Sequence, residues 1–467
     1  MDDMGFHTDI SFTSVLFAIA TLTTLALAKE CSSFPTNPIP VAFALTDCTT
    51  APHDNVPKAN SKGIIISLGS PPQELCVLPS TFTNNTFIPT VEVCSSDQAT
   101  SFATCASRRG GLLDMSASGV NFSSISAVDD YPPDVNWVYI DETNQYTQKG
   151  NITLSLPFEV SLPNFRIKTI EGGQRHNVGH FGLSGSSPVL QRLFDERGLV
   201  KGFALDAGSQ SSSDPRDGHL ILGGYDPGKM GAESKNFTLE NIQLPSKRVC
   251  FLYVLITELV LSRPGLEDFP LVSKGEQIPA CIDPYDMLFR FPNRTLQALA
   301  QATNFDNTTH PDPSQFLVVE PGLTYPSPDA FNGSLKFTLN EDFVVEIPRE
   351  ELAHPLRGID RNGSISVLSN ITELNVHYEP ALVDTAVLGR AFLSKVYLVV
   401  EYRSTGSLFR LAKTAAGDIS AGPIPFEPDC TDSSNRLNGG QVAGIVIGVV
   451  IGVVVLLAGI ILCIRFY

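Results

Sequence analysis

Several acidic, histidine and serine side chains stand where they could do chemistry, and most are set aside by their spacing. In His176-Asn177-Val178-Gly179-His180 the two imidazoles lack the glutamate of a His-Glu-x-x-His zinc helix and enclose Asn177 and Gly179, so the stretch reads as a loop and no metal is expected. Asp206-Ala207-Gly208-Ser209 precedes the run Leu220-Ile221-Leu222-Gly223-Gly224 and reads as a strand end. Asp384-Thr385-Ala386 crowds against Leu388-Gly389 and reads as a turn. Ser80, in Leu78-Pro79-Ser80-Thr81-Phe82, would need a paired histidine and a Gly-x-Ser-x-Gly elbow to act as a nucleophile, and neither is recognisable. Asp283, in Ala280-Cys281-Ile282-Asp283-Pro284-Tyr285, closes an apolar run. A carboxylate there could serve acid–base chemistry only with a second one close by.

The elements that would have to hold these residues are mostly strands. Short alternating apolar runs recur at 63–68, 75–78, 152–156, 220–222, 250–261 and 396–402, separated by Gly, Pro, Asn and Ser. Helical signal is confined to 188–196, with Val189, Leu190, Leu193 and Phe194 on one face and Gly198 just beyond, and to 295–303. Residues 214–227 read as a hairpin region. The expected fold class is therefore all-β.

The two ends point to an exported chain. An apolar run from Val15 to Ala28 ends in Ala26-Leu27-Ala28, a small-x-small pattern, so 1–28 is read as a signal peptide. Residues 442–464 carry no charge and, at about 1.5 Å per residue, would form a helix of about 34 Å, enough for the hydrocarbon core. Arg465 follows it and is expected on the cytoplasmic side, which puts the preceding chain outside as a single-pass type I protein of the plasma membrane or cell surface. A glycosylphosphatidylinositol anchor processed near 438–440 is the alternative. Gly444, Gly448 and Gly452 share one helix face and would let two copies pair, although glycine is common in membrane helices generally.

Sequons at Asn84, Asn121, Asn151, Asn236, Asn293, Asn307, Asn332, Asn362 and Asn370 all lie between these ends, as do all the cysteines but Cys463. Disulfides are expected, with Cys94 and Cys105 the best pair and the remaining connectivity open. A net charge of -17 and no basic run exclude nucleic acid as an expected partner, and no cofactor is expected.

Gly69-Ser70-Pro71-Pro72-Gln73 resembles the Gly-Thr-Pro-Pro-Gln turn that opens the amino-terminal lobe of pepsin-like aspartic peptidases (peptidase A1). Further segments follow in that family's order: Gly182-Leu183-Ser184, Leu220 to Pro227, Ala280 to Asp283, and Leu388-Gly389-Arg390-Ala391-Phe392-Leu393 leading to Val396–Tyr402. The resemblance covers roughly 63–412 and implies two β lobes flanking a cleft that takes an extended peptide. The expected organisation is an N-terminal extension at 29–62, lobes at 63–240 and 241–420, a polar stalk at 421–441, the span at 442–464 and a tail at 465–467.

In that family each lobe supplies one aspartate within Asp-Thr-Gly. Counting on from Gly69, the first position here is Ser80-Thr81-Phe82, and the second is Asp283-Pro284-Tyr285. A serine hydroxyl cannot share a low-pKa proton with a carboxylate, and proline has no N–H to donate. Both family glycines have become aromatic, Phe82 and Tyr285, which would fill space that must admit water and a substrate carbonyl. The resemblance thus implies a degenerate site, with Asp283 vestigial and Thr81, Phe82, Pro284 and Tyr285 lining the cleft. The family's flap tyrosine would be Tyr139 or Tyr146. A glycan on Asn84 would crowd the cleft mouth. The rival expectation is an active acid peptidase pairing Asp283 with another carboxylate, Asp286 being the nearest in sequence.

Overall fold

The computed structural model describes residues 38–52, 58–95, 101–116 and 149–170, then 178–428 apart from short internal stretches. The expected signal peptide, the membrane span with Gly444, Gly448 and Gly452, the flap candidates Tyr139 and Tyr146, and Asn121 and Asn307 lie outside the described residues. Among the described residues no helix is long and apolar enough to cross a membrane.

Strands dominate, as the alternating runs predict. One twelve-stranded sheet begins at Met230–Thr238 and runs through Leu408–Thr414, Val396–Glu401, Gly202–Asp206, Gly218–Leu222 and Val41–Thr49 to Asn60–Leu68. From there Gln73–Ser80, Gly179–Gly182, Phe87–Pro89, Val160–Ile170 and Lys149–Leu156 follow, and the last pairs back onto Asn60–Leu68, closing a ring. An eight-stranded sheet is built around Tyr253–Ser262, Ile278–Ile282 and Ala386–Leu388, and a four-stranded sheet around Ala353–Asp360 and Ile365–Leu374.

Three strand pairings cut across the segments read from the sequence. The stretch 29–62, read as an extension, contains Val41–Thr49, whose buried residues Val41, Phe43 and Leu45 sit between Asn60–Leu68 and Gly218–Leu222. Strands Val396–Glu401 and Leu408–Thr414, which lie in the 241–420 segment, pair into the twelve-stranded sheet with strands of the 63–240 segment. The segment read as the start of a stalk forms the strand Ile424–Pro425 against Gly224–Tyr225.

The first of the two expected helices forms at Pro188–Arg197 for local reasons. Ser187 caps it by accepting from Leu190 N–H, proline occupies its first turn, and Gly198 ends it at φ 69°, a left-handed conformation that glycine adopts without steric cost. The second, Asn293–Ala302, covers the 295–303 segment.

The chain folds one arrangement twice. Gln73–Ser80 and Phe87–Pro89 are joined by a loop, and the later strand Gly179–Gly182 lies parallel to the first and antiparallel to the second. Ile278–Ile282 and Phe289–Phe291 are joined in the same way, with Ala386–Leu388 parallel to the first and antiparallel to the second. Each embracing strand leads to a glycine pressed against loop carbonyls. A Cβ on Gly182 would come within 2.4 Å of Asn84 O, and one on Gly389 within 2.3 Å of Leu288 O. These close approaches hold the loops after Ser80 and Ile282 in place.

Three disulfides tie the described residues: Cys94–Cys105, as expected, and Cys48–Cys76 and Cys250–Cys281, which sequence left open. The Cys94–Cys105 bridge braces the short helix Phe102–Arg108. On that helix Thr104 and Ser107 donate their hydroxyls to Asp360 O (3.0 Å) and Gly363 O (2.6 Å), at the tip of the hairpin formed by Ala353–Asp360 and Ile365–Leu374. Ser101, its N-cap, donates to Arg361 O at 2.9 Å. The hairpin of one half is thereby fastened to a stapled helix of the other.

Candidate functional site

The two repeated loops meet through Thr81. Its backbone N–H donates to Asp283 Oδ1 at 3.0 Å, and its hydroxyl donates to Ile282 O at 2.9 Å and reaches Oδ1 at 3.3 Å. The reciprocal contact is missing because position 284 is proline, with no N–H and no hydroxyl to return. Asp283 also accepts from Tyr285 N–H at 3.3 Å, while its Oδ2 has no hydrogen-bond partner among the described residues. Ser80 spends its Oγ locally, accepting from Phe82 N–H at 3.3 Å.

None of this reaches the surface. Asp283 and Ser80 are each 0% exposed, and Thr81, Phe82, Pro284 and Tyr285 are buried with them. Burial raises the Asp283 carboxyl to about 7, against the opposing pull of the Thr81 and Tyr285 N–H groups; Asp286 adds a smaller upward push. The group is thus a neutral acid through the acidic range, where a carboxylate dyad would hold one shared proton.

The aromatic replacements take two different places. Tyr285 lies flat on His180, ring centroids 3.7 Å apart and planes 7° from parallel, and its hydroxyl donates to Val178 O at 3.0 Å. With Leu78 and Val387 it makes a small apolar cluster. Phe82 packs instead with Phe87, Val93 and the Cys94–Cys105 and Cys250–Cys281 bridges. His180 is fully buried, and burial holds its imidazole well below its ordinary value, so it is the neutral partner of a stack. Its sequence neighbour in the zinc reading, His176, lies outside the described residues. Among the described residues no cluster of His, Cys, Asp and Glu could hold a metal ion.

The other acidic candidates are committed elsewhere. Asp286 is in a buried ion pair with Arg290 and accepts from Leu288 N–H at 3.1 Å. Asp206 is buried against Lys229 at 3.7 Å and accepts from Gly208 N–H, a structural role at its strand end. Asp384 is exposed at the start of Ala386–Leu388.

Among the sequons, Asn84 is corrected by the fold. It is 4% exposed and its Oδ1 accepts from Ser186 N–H at 3.0 Å, so a glycan there would have to break the packing of the loop. Asn236, Asn293, Asn332, Asn362 and Asn370 are exposed, and Asn151 is half-buried. Sequence reasoning missed His180 as the partner of Tyr285, since over a hundred residues separate them and no local pattern links them.

Compared with known proteins, the chain matches no family model and no curated sequence.

Proposed function

We propose that this chain is a surface-tethered protein with a pepsin-like two-lobed fold that no longer hydrolyses peptides and keeps a peptide-binding or structural role. The observation that carries the reading is the contact of Thr81 with Asp283 and Ile282, which joins two equivalent loops around a single buried carboxylate. A working site of the implied kind needs two carboxylates at that junction, open to water and substrate. Here the first position is a serine engaged with its own loop, and Tyr285 is locked onto His180 and Val178.

Supporting the family assignment are the twice-repeated strand–loop–strand arrangement and the glycines that close on each loop. The two hydrophobic ends and the exposed sequons support an ectodomain held outside the cell by residues 442–464. An extended peptide would be held through main-chain hydrogen bonds of the strand-addition type.

Selection of binders from a displayed library of extended peptides by the purified full-length chain tests the reading. Peptides enriched and recovered intact would support a binding role, and no enrichment would leave the structural one. Recovery of peptides cut at a defined bond, with cutting lost in Asp283→Ala, would overturn it.

A further inference from the structure

Arg390 stands apart from everything used so far. It follows Gly389 and opens the short helix Arg390–Leu393, is 1% exposed, and its Nε, Nη1 and Nη2 have no hydrogen-bond partner among the described residues. Its backbone is pinned: the N–H donates to Asp286 O at 2.7 Å, and Gly389 is pressed against Leu288 O and Asp286 O. The carboxylates acting on it are spoken for or remote. Asp286 belongs to Arg290 and Leu288 N–H, and Asp47, on Val41–Thr49, acts on Arg390 without forming an ion pair with it.

A second cation acts on Arg390 from the strand beside Val41–Thr49. Lys62, on Asn60–Leu68, is partly buried, and its ammonium is held below the ordinary lysine value by burial first and then by Arg390; Arg357 adds to this, while Asp47 and Asp217 oppose it. Lys62 lies in register with Asp47 on the neighbouring strand Val41–Thr49, the carboxylate that also acts on Arg390. A lysine can shed its proton to escape such a place, but a guanidinium cannot near neutral pH, since burial lowers Arg390 only to about 10. A buried, unpaired guanidinium is among the costliest groups a fold can carry, and a planar oxyanion meets its fork with two parallel hydrogen bonds.

We propose that Arg390, with Lys62 across the junction of the two halves, forms a buried site for a small oxyanion, a carboxylate or a phosphate. Arg390 supplies the bidentate fork, Lys62 the second charge, and Asp47 stands as the acidic group that the anion must outcompete. The inference does not rest on the proposed function.

Equilibrium dialysis of the full-length chain with labelled acetate and labelled phosphate, at constant ionic strength set by chloride, tests it. One saturable site per chain is expected, for whichever of the two anions the fork accepts. Affinity should fall about tenfold or more in Arg390→Gln, which removes charge-assisted hydrogen bonds, and severalfold in Lys62→Gln. Asp47→Asn should leave binding unchanged or tighten it. No saturable binding of either anion would overturn the proposal, as would affinity retained in Arg390→Gln. If that variant does not fold, the partly exposed Lys62 decides: unchanged affinity in Lys62→Gln overturns the proposal. A loss of stability in Asp47→Asn, with no anion bound by the unaltered chain, would identify Asp47 as the guanidinium's own partner and also overturn it.

Discussion

The backbone N–H of Thr81 donates to the carboxylate of Asp283 across 3.0 Å, although 202 residues separate the two along the chain. That bond, with the Thr81 hydroxyl on Ile282 O, is where the two repeats are joined. It places one carboxylate at the junction and a serine beside it.

The share of stability that Asp283 supplies should fall as pH rises from about 4 to 7, opposite in sign to the share that buried His180 supplies. The Asp283 carboxyl is raised to about 7 in the fold from 3.8, so the folded chain holds a proton there that the unfolded chain has lost. A raised carboxyl contributes stability below its unfolded value and loses it as pH climbs through the folded one. Three units correspond to at most about 4 kcal/mol. Asp283→Asn keeps an oxygen for the Thr81 N–H and removes the titration. The difference in urea-unfolding midpoint between the unaltered chain and Asp283→Asn should move against the unaltered chain as pH rises across this window.

Thr81→Val should cost about 1–3 kcal/mol, because the buried Ile282 carbonyl loses its donor while side-chain shape is kept. Urea unfolding should show a lower midpoint with an unchanged slope. An unchanged midpoint would mean that the hydroxyl does not join the repeats.

Tyr285→Phe and Tyr285→Ala should separate the hydrogen bond from the packing. Phe keeps the stack on His180 and gives up only the bond to Val178 O, at about 1 kcal/mol. Ala empties the space between Leu78, Val387 and His180, at about 3–5 kcal/mol. Equal losses in the two variants would contradict the stacked arrangement.

Mass spectrometry of glycopeptides from the exported chain should find Asn84 unmodified. Its side chain is tied to Ser186 inside the fold, whereas Asn236, Asn293, Asn332, Asn362 and Asn370 are exposed. An occupied Asn84 in folded protein would show that the loop after Ser80 is held differently.

Much of this was legible in the sequence because it is local. Gly63–Leu68 and Leu75–Leu78 are short apolar runs on either side of the Gly69-Ser70-Pro71-Pro72-Gln73 turn, and they lie in the hairpin of Asn60–Leu68 and Gln73–Ser80. Pro188–Arg197 announced itself through its apolar face and Gly198. Cys94 and Cys105 could be paired because their loop is short. What stayed hidden depends on distant chain. Val41–Thr49 alternates too, but its place between two strands far apart in sequence gives no local sign. The Cys48–Cys76 and Cys250–Cys281 bridges, the stack of Tyr285 on His180 and the hairpin tip on the Phe102–Arg108 helix are all set by tertiary contact. The burial of Asn84 belongs to the same class, since a sequon carries no record of whether its loop folds inward.

The most direct measurement is peptide hydrolysis by the purified full-length chain on a broad peptide library from about pH 3 to 7, the range in which a carboxylate dyad would work, beside Asp283→Ala and Ser80→Asp. The account predicts no cleavage by the unaltered chain, and none by Ser80→Asp, because Tyr285 remains packed on His180 and Asp283 remains buried. Cleavage by the unaltered chain that disappears in Asp283→Ala would contradict it.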